Sequence, residues 1–449
     1  MNSPSKQTFK MLAVAGLISG LAACGDSTLM TLPDSNGAVV SSYIAKAVVT
    51  LDLNDDGICQ SSEPQVVSDM QGRYTFPGLG LHMVCSDGGY NTSTNLPVVG
   101  QQKAPAGAGV VTALSTLVVA LAQTTPGQAP SAAATAEAQA KLETQLGLPA
   151  GSITKDPMAV IATEPKIEQI NASVQILLQT VASSVSAFAG VQAPAAGASP
   201  ADKATYATAL NAVFANAAES VAATLTATNA APVDLTTTSA ANAAAFVQSV
   251  VATTVSNVQS QPAAVAALQA AAPAAADANI TTLSPTNAAA FVASNVATVV
   301  QSVAQSNGTA TAIAAAETQA QSNVTIVNAV ESVVAAAPAL FVTVGGEAPV
   351  SSSAAISALA EVVLPSSSVV ANTSVTVDTT QLNSSLTAAA AAAAPNATIN
   401  VAAITTEVAT EVSTPPAAPA PVDIAAAPTP VVAPLPTPIV VTGSVTGGI

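Results

Sequence analysis

The chain has 449 residues, a formal net charge of −16 and 102 alanines, with charged residues at 8%, aromatics at 2% and no tryptophan. Nine Lys and Arg against 25 Asp and Glu exclude a phosphate-neutralising surface for nucleic acid, and a single histidine, His82, excludes any mechanism that needs paired imidazoles within the chain. The mean hydropathy of +0.52 comes from Ala and Val rather than from long runs of Leu, Ile and Phe. Lys203 is the last basic residue, so helices in the 246 residues after it have no Glu to Lys pairs for support. Residues 51–100 contain no alanine and residues 201–250 contain eighteen, so two physically different regions are joined. The expected class is α+β: a small β module over residues 38–108, then a mainly α, Ala-rich region over 109–413.

At the amino terminus, Lys6 and Lys10 precede the short apolar stretch Met11 to Gly20, and Leu21-Ala22-Ala23-Cys24-Gly25 follows. A run this short reads as a signal-peptide core rather than a spanning helix, with residues 24–37 as a linker beyond it. The tetrad resembles the lipobox of bacterial lipoproteins. That resemblance implies removal of residues 1–23, diacylglycerol on Cys24, and anchoring by several acyl chains at ~0.8 kcal/mol per buried methylene. Gly25 in place of Asp implies the outer rather than the inner membrane. An ordinary cleaved signal with a coincidental cysteine is the other reading.

Once Cys24 is assigned to lipid, Cys59 and Cys85 remain, an even pair suited to an exported protein. They form either a disulfide, whose closed loop would contribute roughly 3.5 kcal/mol in the chain-entropy picture, or two buried thiols. Between them and the amino terminus, Ala45 to Leu53 is rich in β-branched residues, with Val49, Leu51 and Leu53 alternating against Thr50 and Asp52 as in a strand.

The segment Asp52-Leu53-Asn54-Asp55-Asp56-Gly57-Ile58-Cys59-Gln60-Ser61-Ser62-Glu63 matches D-x-[DN]-x-[DN]-G-x5-E at every constrained position. Oxygens of Asp52, Asn54 and Asp56, the Ile58 backbone carbonyl and the Glu63 carboxylate form a hard-oxygen set suited to a structural calcium ion, with Gly57 allowing the sharp turn. Zinc would call for nitrogen and sulfur ligands. A strand rather than a helix enters the loop, so this is not an EF-hand. The competing reading is an Asx-rich hairpin turn that needs no metal.

The following Val66-Val67-Ser68-Asp69-Met70-Gln71-Gly72-Arg73-Tyr74-Thr75-Phe76-Pro77-Gly78-Leu79 resembles the strand, D-x-x-G turn and Y-x-F strand of calcium-stabilised B-type repeats and related prealbumin-like or carboxypeptidase-regulatory-like modules of bacterial surface proteins. The resemblance spans roughly residues 38–85 and implies a β-sandwich-like fold with a calcium loop. Asp69 fits a turn former better than a further ligand. The stretch from Ala104-Pro105-Ala106-Gly107 to Ala113-Leu114-Ser115-Thr116-Leu117 is similar to the segment that follows such modules in large adhesin-like proteins of Gram-negative bacteria.

Beyond residue 110 the apolar period becomes helical. Ser131 to Leu146 reads as a short helix. A longer one starts at Glu164-Pro165, carries Ile167, Ile170, Val174, Leu177, Val181, Val185 and Phe188 on one stripe and stops at Gly190; Ser199-Pro200 opens another, bearing Tyr206, Leu210 and Phe214. Residues 235–260 recur at 280–305, with Phe246 matching Phe291 and Ser239 matching Ser284 as N-caps. Two copies suggest duplicated helical hairpins within an irregular bundle. From Pro415 to Pro438 nine prolines fall within 24 residues, so 414–449 reads as an extended or disordered tail.

Catalysis has little to stand on. His82 reads as structural or solvent-facing, and the spacing of Asp52, Asp55 and Asp56 fits a cation better than two separated catalytic carboxyls. The expectation is a non-enzymatic envelope lipoprotein whose partners are the membrane and an envelope or extracellular protein, with no nucleic acid and no small-molecule substrate. The alternative is a periplasm-facing scaffold or solute-binding lipoprotein that uses the helices as its binding surface.

Overall fold

The computed structural model describes residues 32–272 except 126, 190, 192–193, 195–197 and 228–231, together with 285, 289, 296–297, 300–318 and 320. The amino-terminal segment expected to be a signal, with Cys24, Phe291 and Ser284 of the second repeat copy, and the proline-rich tail lie outside the described residues. The described part is α+β.

Short β-branched runs broken by Gly and Asx turns build the first part. β1 (Ser35–Val39) pairs antiparallel with β5 (Arg73–Phe76) and parallel with β9 (Val110–Val111). In a second sheet β3 (Val48–Asp52) lies between β4 (Gln65–Val67) and β6 (Met83–Asp87), with β8 (Gln102–Ala104) on the far side of β6, all antiparallel. A two-stranded ribbon joins β2 (Ile44–Ala45) to β7 (Tyr90–Asn91). Val39, Ile44, Val49, Leu51, Tyr74, Phe76, Val84 and Val111 meet in one apolar core supplied by all three sheets. The D-x-x-G turn is held by Asp69, whose Oδ1 accepts the amides of Gln71 and Arg73, both at 2.8 Å.

The module is slightly larger than the 38–108 expected. Ser35 to Gly37 pair with Tyr74 to Phe76, and Val110 and Val111 return to β1, so its sheets run from residue 35 to 111. Alternation alone would also leave Thr50 and Asp52 in water, yet both are buried. The reason is α1 (Ala113–Ala122), which follows β9 directly and covers the outer side of the four-stranded sheet, with Val119 against Met83 and Cys85. Its start is fixed by a reciprocal cap: Thr112 Oγ1 accepts the Ser115 amide at 2.9 Å and Ser115 Oγ accepts the Thr112 amide at 2.8 Å.

Six more helices follow among the named elements: α2 (Ala132–Gln145), α3 (Pro157–Val160), α4 (Pro165–Phe188), α5 (Pro200–Thr226), α6 (Ala240–Ser260) and α7 (Pro262–Ala271). Ser131, Asp156, Ser199 and Ser239 cap the first, second, fourth and fifth of these through side-chain acceptors, and Pro occupies the first turn of α3, α4, α5 and α7, where its missing N–H costs nothing. Ile167, Ile170, Val174, Leu177, Val181 and Val185 of α4 are buried in a core shared with α1, α2 and α5 to α7. The opposite side of α4 is not the solvent face that a single apolar stripe suggests. Glu168, Asn171, Ser173, Gln175, Gln179 and Ser184 are buried as well, because the β module and the helical residues 310–318 cover that side.

The second repeat copy keeps part of the expected pattern: Val296, Val300 and Val303 are buried, as are their counterparts Val251, Val255 and Val258. The β module and the helices belong to one compact unit beginning at Pro33.

Candidate metal site

The acidic loop leaves the buried end of β3 and returns to β4, closed at its neck by the Leu51 amide donating to the Pro64 carbonyl at 3.0 Å. Gly57 has φ +77°, so the turn needs glycine for its backbone, and a Cβ there would stand 3.0 Å from the Gln128 carbonyl oxygen of the α1–α2 connection. Asp55 also takes a positive φ, of 56°, and its Oδ1 lies 2.9 Å from His82 Nδ1. His82 is therefore a brace on the loop rather than a solitary base.

Three of the five expected ligands are brought together. The Asp56 amide donates to both Asp52 Oδ1, at 3.2 Å, and Asn54 Oδ1, at 3.1 Å, so these two oxygens converge on one N–H. Asp52 Oδ2 accepts the Gly57 amide at 2.8 Å. Asp56 Oδ1 accepts the Ile58 amide at 2.8 Å, and its Oδ2 accepts from Asn54 Nδ2 at 3.0 Å and Gln60 Nε2 at 2.8 Å. Glu63 closes the ends of the loop instead of its centre, with Oε1 accepting the Leu53 amide at 2.9 Å and Oε2 the Gln60 amide at 2.8 Å. The Ile58 amide, not its carbonyl, is the group tied into this network. Among the described residues no group of three or more His, Cys, Asp or Glu side chains is assembled to hold a metal ion.

The donor chemistry fits a hard cation, because an amide oxygen and three carboxylates stand on one short loop whose outer residues are exposed. The arrangement described is the hydrogen-bonded turn. To ligate a cation the loop would exchange the Asn54 and Gln60 side-chain N–H groups on Asp56, and the Gln60 amide on Glu63, for the ion.

Two further features stabilise the loop from below. Cys59 and Cys85 are joined by a disulfide with Cα atoms 6.1 Å apart, which ties the loop to β6. Lys103 of β8 donates from Nζ to the Gly57 carbonyl at 3.1 Å. Burial pushes the Lys103 ammonium below its usual range, while Asp52, Glu219 and Asp56 pull it back up. Burial likewise raises the Asp52 carboxyl, opposed by the amides of Gly57 and Asp56.

Lys103 and the His82 brace are invisible in the sequence, since each arrives from a distant strand or loop with no motif of its own. A second missed feature is a pair of buried carboxyls, Glu168 and Glu317, for which the signal was a Glu three residues into an apolar helix. Comparison with protein-family models, curated proteins and solved structures returned no match.

Proposed function

We propose that the chain is a non-enzymatic lipoprotein of the bacterial cell envelope, held at the outer membrane by acyl chains on Cys24. Its sandwich-like, prealbumin-like β module presents a calcium loop, and its helical region serves structural or adhesive interaction. The observation that carries this reading is Leu21-Ala22-Ala23-Cys24 placed directly after the basic and short apolar segments. Acylation there supplies stable anchoring without a spanning helix, and among the described residues no helix is long and apolar enough to cross a membrane.

Two observations support an exported, non-catalytic chain. The Cys59–Cys85 disulfide suits an oxidising compartment. The one histidine is engaged with Asp55 in an exposed loop. Asp52, Asn54, Asp56, the Ile58 carbonyl and Glu63 would hold the calcium, which when bound would neutralise the clustered acids and rigidify the turn.

Proteinase K applied to intact cells tests the placement. Prompt loss of the chain is expected for a surface-exposed lipoprotein, while protection until the outer membrane is opened points to the periplasm-facing alternative. Replacing Cys24 by Ser tests the anchor: the chain is expected to leave the membrane fraction, and unchanged fractionation would remove the lipid from the reading. Trypsin would be a poor substitute for proteinase K, because no Lys or Arg follows Lys203.

A further inference from the structure

Glu168, in the first turn of α4, and Glu317, in the helical residues 310–318, are 149 residues apart in sequence and both buried. They meet under the β1–β2 turn. Glu168 Oε1 accepts from the Ser42 amide at 3.0 Å and Ser42 Oγ at 3.4 Å, and its Oε2 from Asn171 Nδ2 at 3.2 Å. Glu317 Oε1 accepts from Ser41 Oγ at 3.3 Å and its Oε2 from Asn91 Nδ2 at 3.2 Å. Every donor is neutral and most of these bonds are long, which does not offset the burial of two carboxylates.

Charge compensation from the chain is also missing. Among the described residues Lys141, Lys155 and Lys166 are paired with Glu137, Glu164 and Asp234, Lys103 is turned to Gly57, Lys46 and Arg73 are exposed, Lys203 lies in the first turn of α5, and His82 is on Asp55. Residues 204–449 contain no Lys or Arg at all. The other titratable groups around the pair are Tyr43 of the β1–β2 turn, whose hydroxyl donates to Asp156 Oδ2 at 3.1 Å, and Asp156 itself, the cap of α3. β7 brings Asn91 and Tyr90, the latter bonded to Met70, and residues 300–320 bring no titratable group besides Glu317.

Val300 and Ala304 lie in the main helical core, but beyond them the apolar part of the docking is slight. Val303, Ile313 and Ala320 pack on Ala172 and Ile176 of α4, with Ile161 and Ala316 at the margin. Gly308 stands against Pro165, where an added Cβ would lie 2.9 Å from the ring, and Gln169 Nε2 donates to the Ser306 carbonyl. With so little apolar area beyond Ala304, the state of the two carboxyls decides whether residues 310–318 stay docked.

We propose that residues 310–318 form a pH-sensitive latch, docked on α4 and the β module while the Glu168–Glu317 pair retains protons and loosened when the pair ionises. Burial first, then the neighbouring Glu317, holds the Glu168 carboxyl up to about 8, and burial holds Glu317 up to about 7. Both values exceed the ordinary 4.5, so between pH 4.5 and about 8 the undocked state binds fewer protons than the docked one. Docking therefore weakens as pH rises through that window and levels off above it. The latch does not depend on the lipid anchor or on calcium.

Hydrogen exchange on the full chain at pH 5.5, 7 and 9, expressed as protection factors corrected for intrinsic rates, reads this directly. Peptides from 310–318 are expected to lose at least about tenfold in protection across the range while peptides from α5 keep theirs. The double variant Glu168→Gln, Glu317→Gln is expected to remain protected at pH 9, with α5 as its internal control of folding; Glu317→Gln alone is expected to be intermediate. Equal wild-type protection in 310–318 at all three pH values would overturn the latch. So would the same loss in the double variant, or a gain in protection with pH on adding calcium chloride, which would make the pair an ion site instead.

Discussion

Gly100 shows how tightly the two parts of the molecule are joined at the level of single atoms. It has φ +91°, and a Cβ there would stand 2.0 Å from Cδ2 of Phe214, which is fully buried in α5. Gly100→Ala combines a left-handed backbone strain with an overpacked aromatic contact, so a loss of roughly 2–4 kcal/mol in chemical denaturation is expected; a change below about 0.5 kcal/mol would mean that the contact is loose. Cys59→Ser with Cys85→Ser removes the bridge across 26 residues and is expected to cost about 3.5 kcal/mol, visible equally as a lower midpoint of the parent under reductant. The disulfide was one of the two readings left by an even pair of cysteines, and the acidic loop was legible at this scale because it is written as a spacing. Lys103 and His82 were not, because a single residue arriving from another strand or loop carries no spacing to read. Asp56 also taught something the motif could not: its carboxylate is already filled by the Ile58 amide and by Asn54 and Gln60 side chains.

At the scale of elements, the apolar stripe of α4 and the Ser-Pro start of α5 were readable from periodicity and capping chemistry, and α5 begins at the expected Pro200 with Ser199 as its cap. What periodicity could not tell is that α4 is enclosed on its polar side too, since Asn171, Gln175 and Gln179 look like solvent-facing residues until a β module and a distant helical segment cover them. Phe214→Ala tests the apolar side, where a cavity beside Gly100 should cost about 3–5 kcal/mol. The acidic loop is tested as an element by thermal melts of the full chain with calcium and with chelator. Calcium at a hundredfold excess over its dissociation constant would add about 2.7 kcal/mol, an effect expected to vanish in Asp56→Ala. Coincident midpoints would leave the loop as the hydrogen-bonded turn described above.

For the whole molecule, the alanine-free and alanine-rich halves visible in composition are real, but they are not independent. Asn211 of α5 donates to Asp87 of β6 at 2.9 Å, α1 seals the outer sheet face, and Glu317 reaches back to Ser41 and Asn91. A composition boundary near residue 109 marks a change of local structure, not a seam between separately packed bodies, because long-range contacts leave no mark on composition. The apolar average likewise dissolves into small Ala and Val side chains packed between helices. That leaves the amino terminus as the segment proposed to address a bilayer. Mass spectrometry of the mature amino terminus from a Gram-negative host tests that central claim most directly. A first residue of Cys24 carrying diacylglycerol on its sulfur, with acylation of the new amine, is the predicted result; cleavage at another bond, or an unmodified Cys24 thiol, would contradict it.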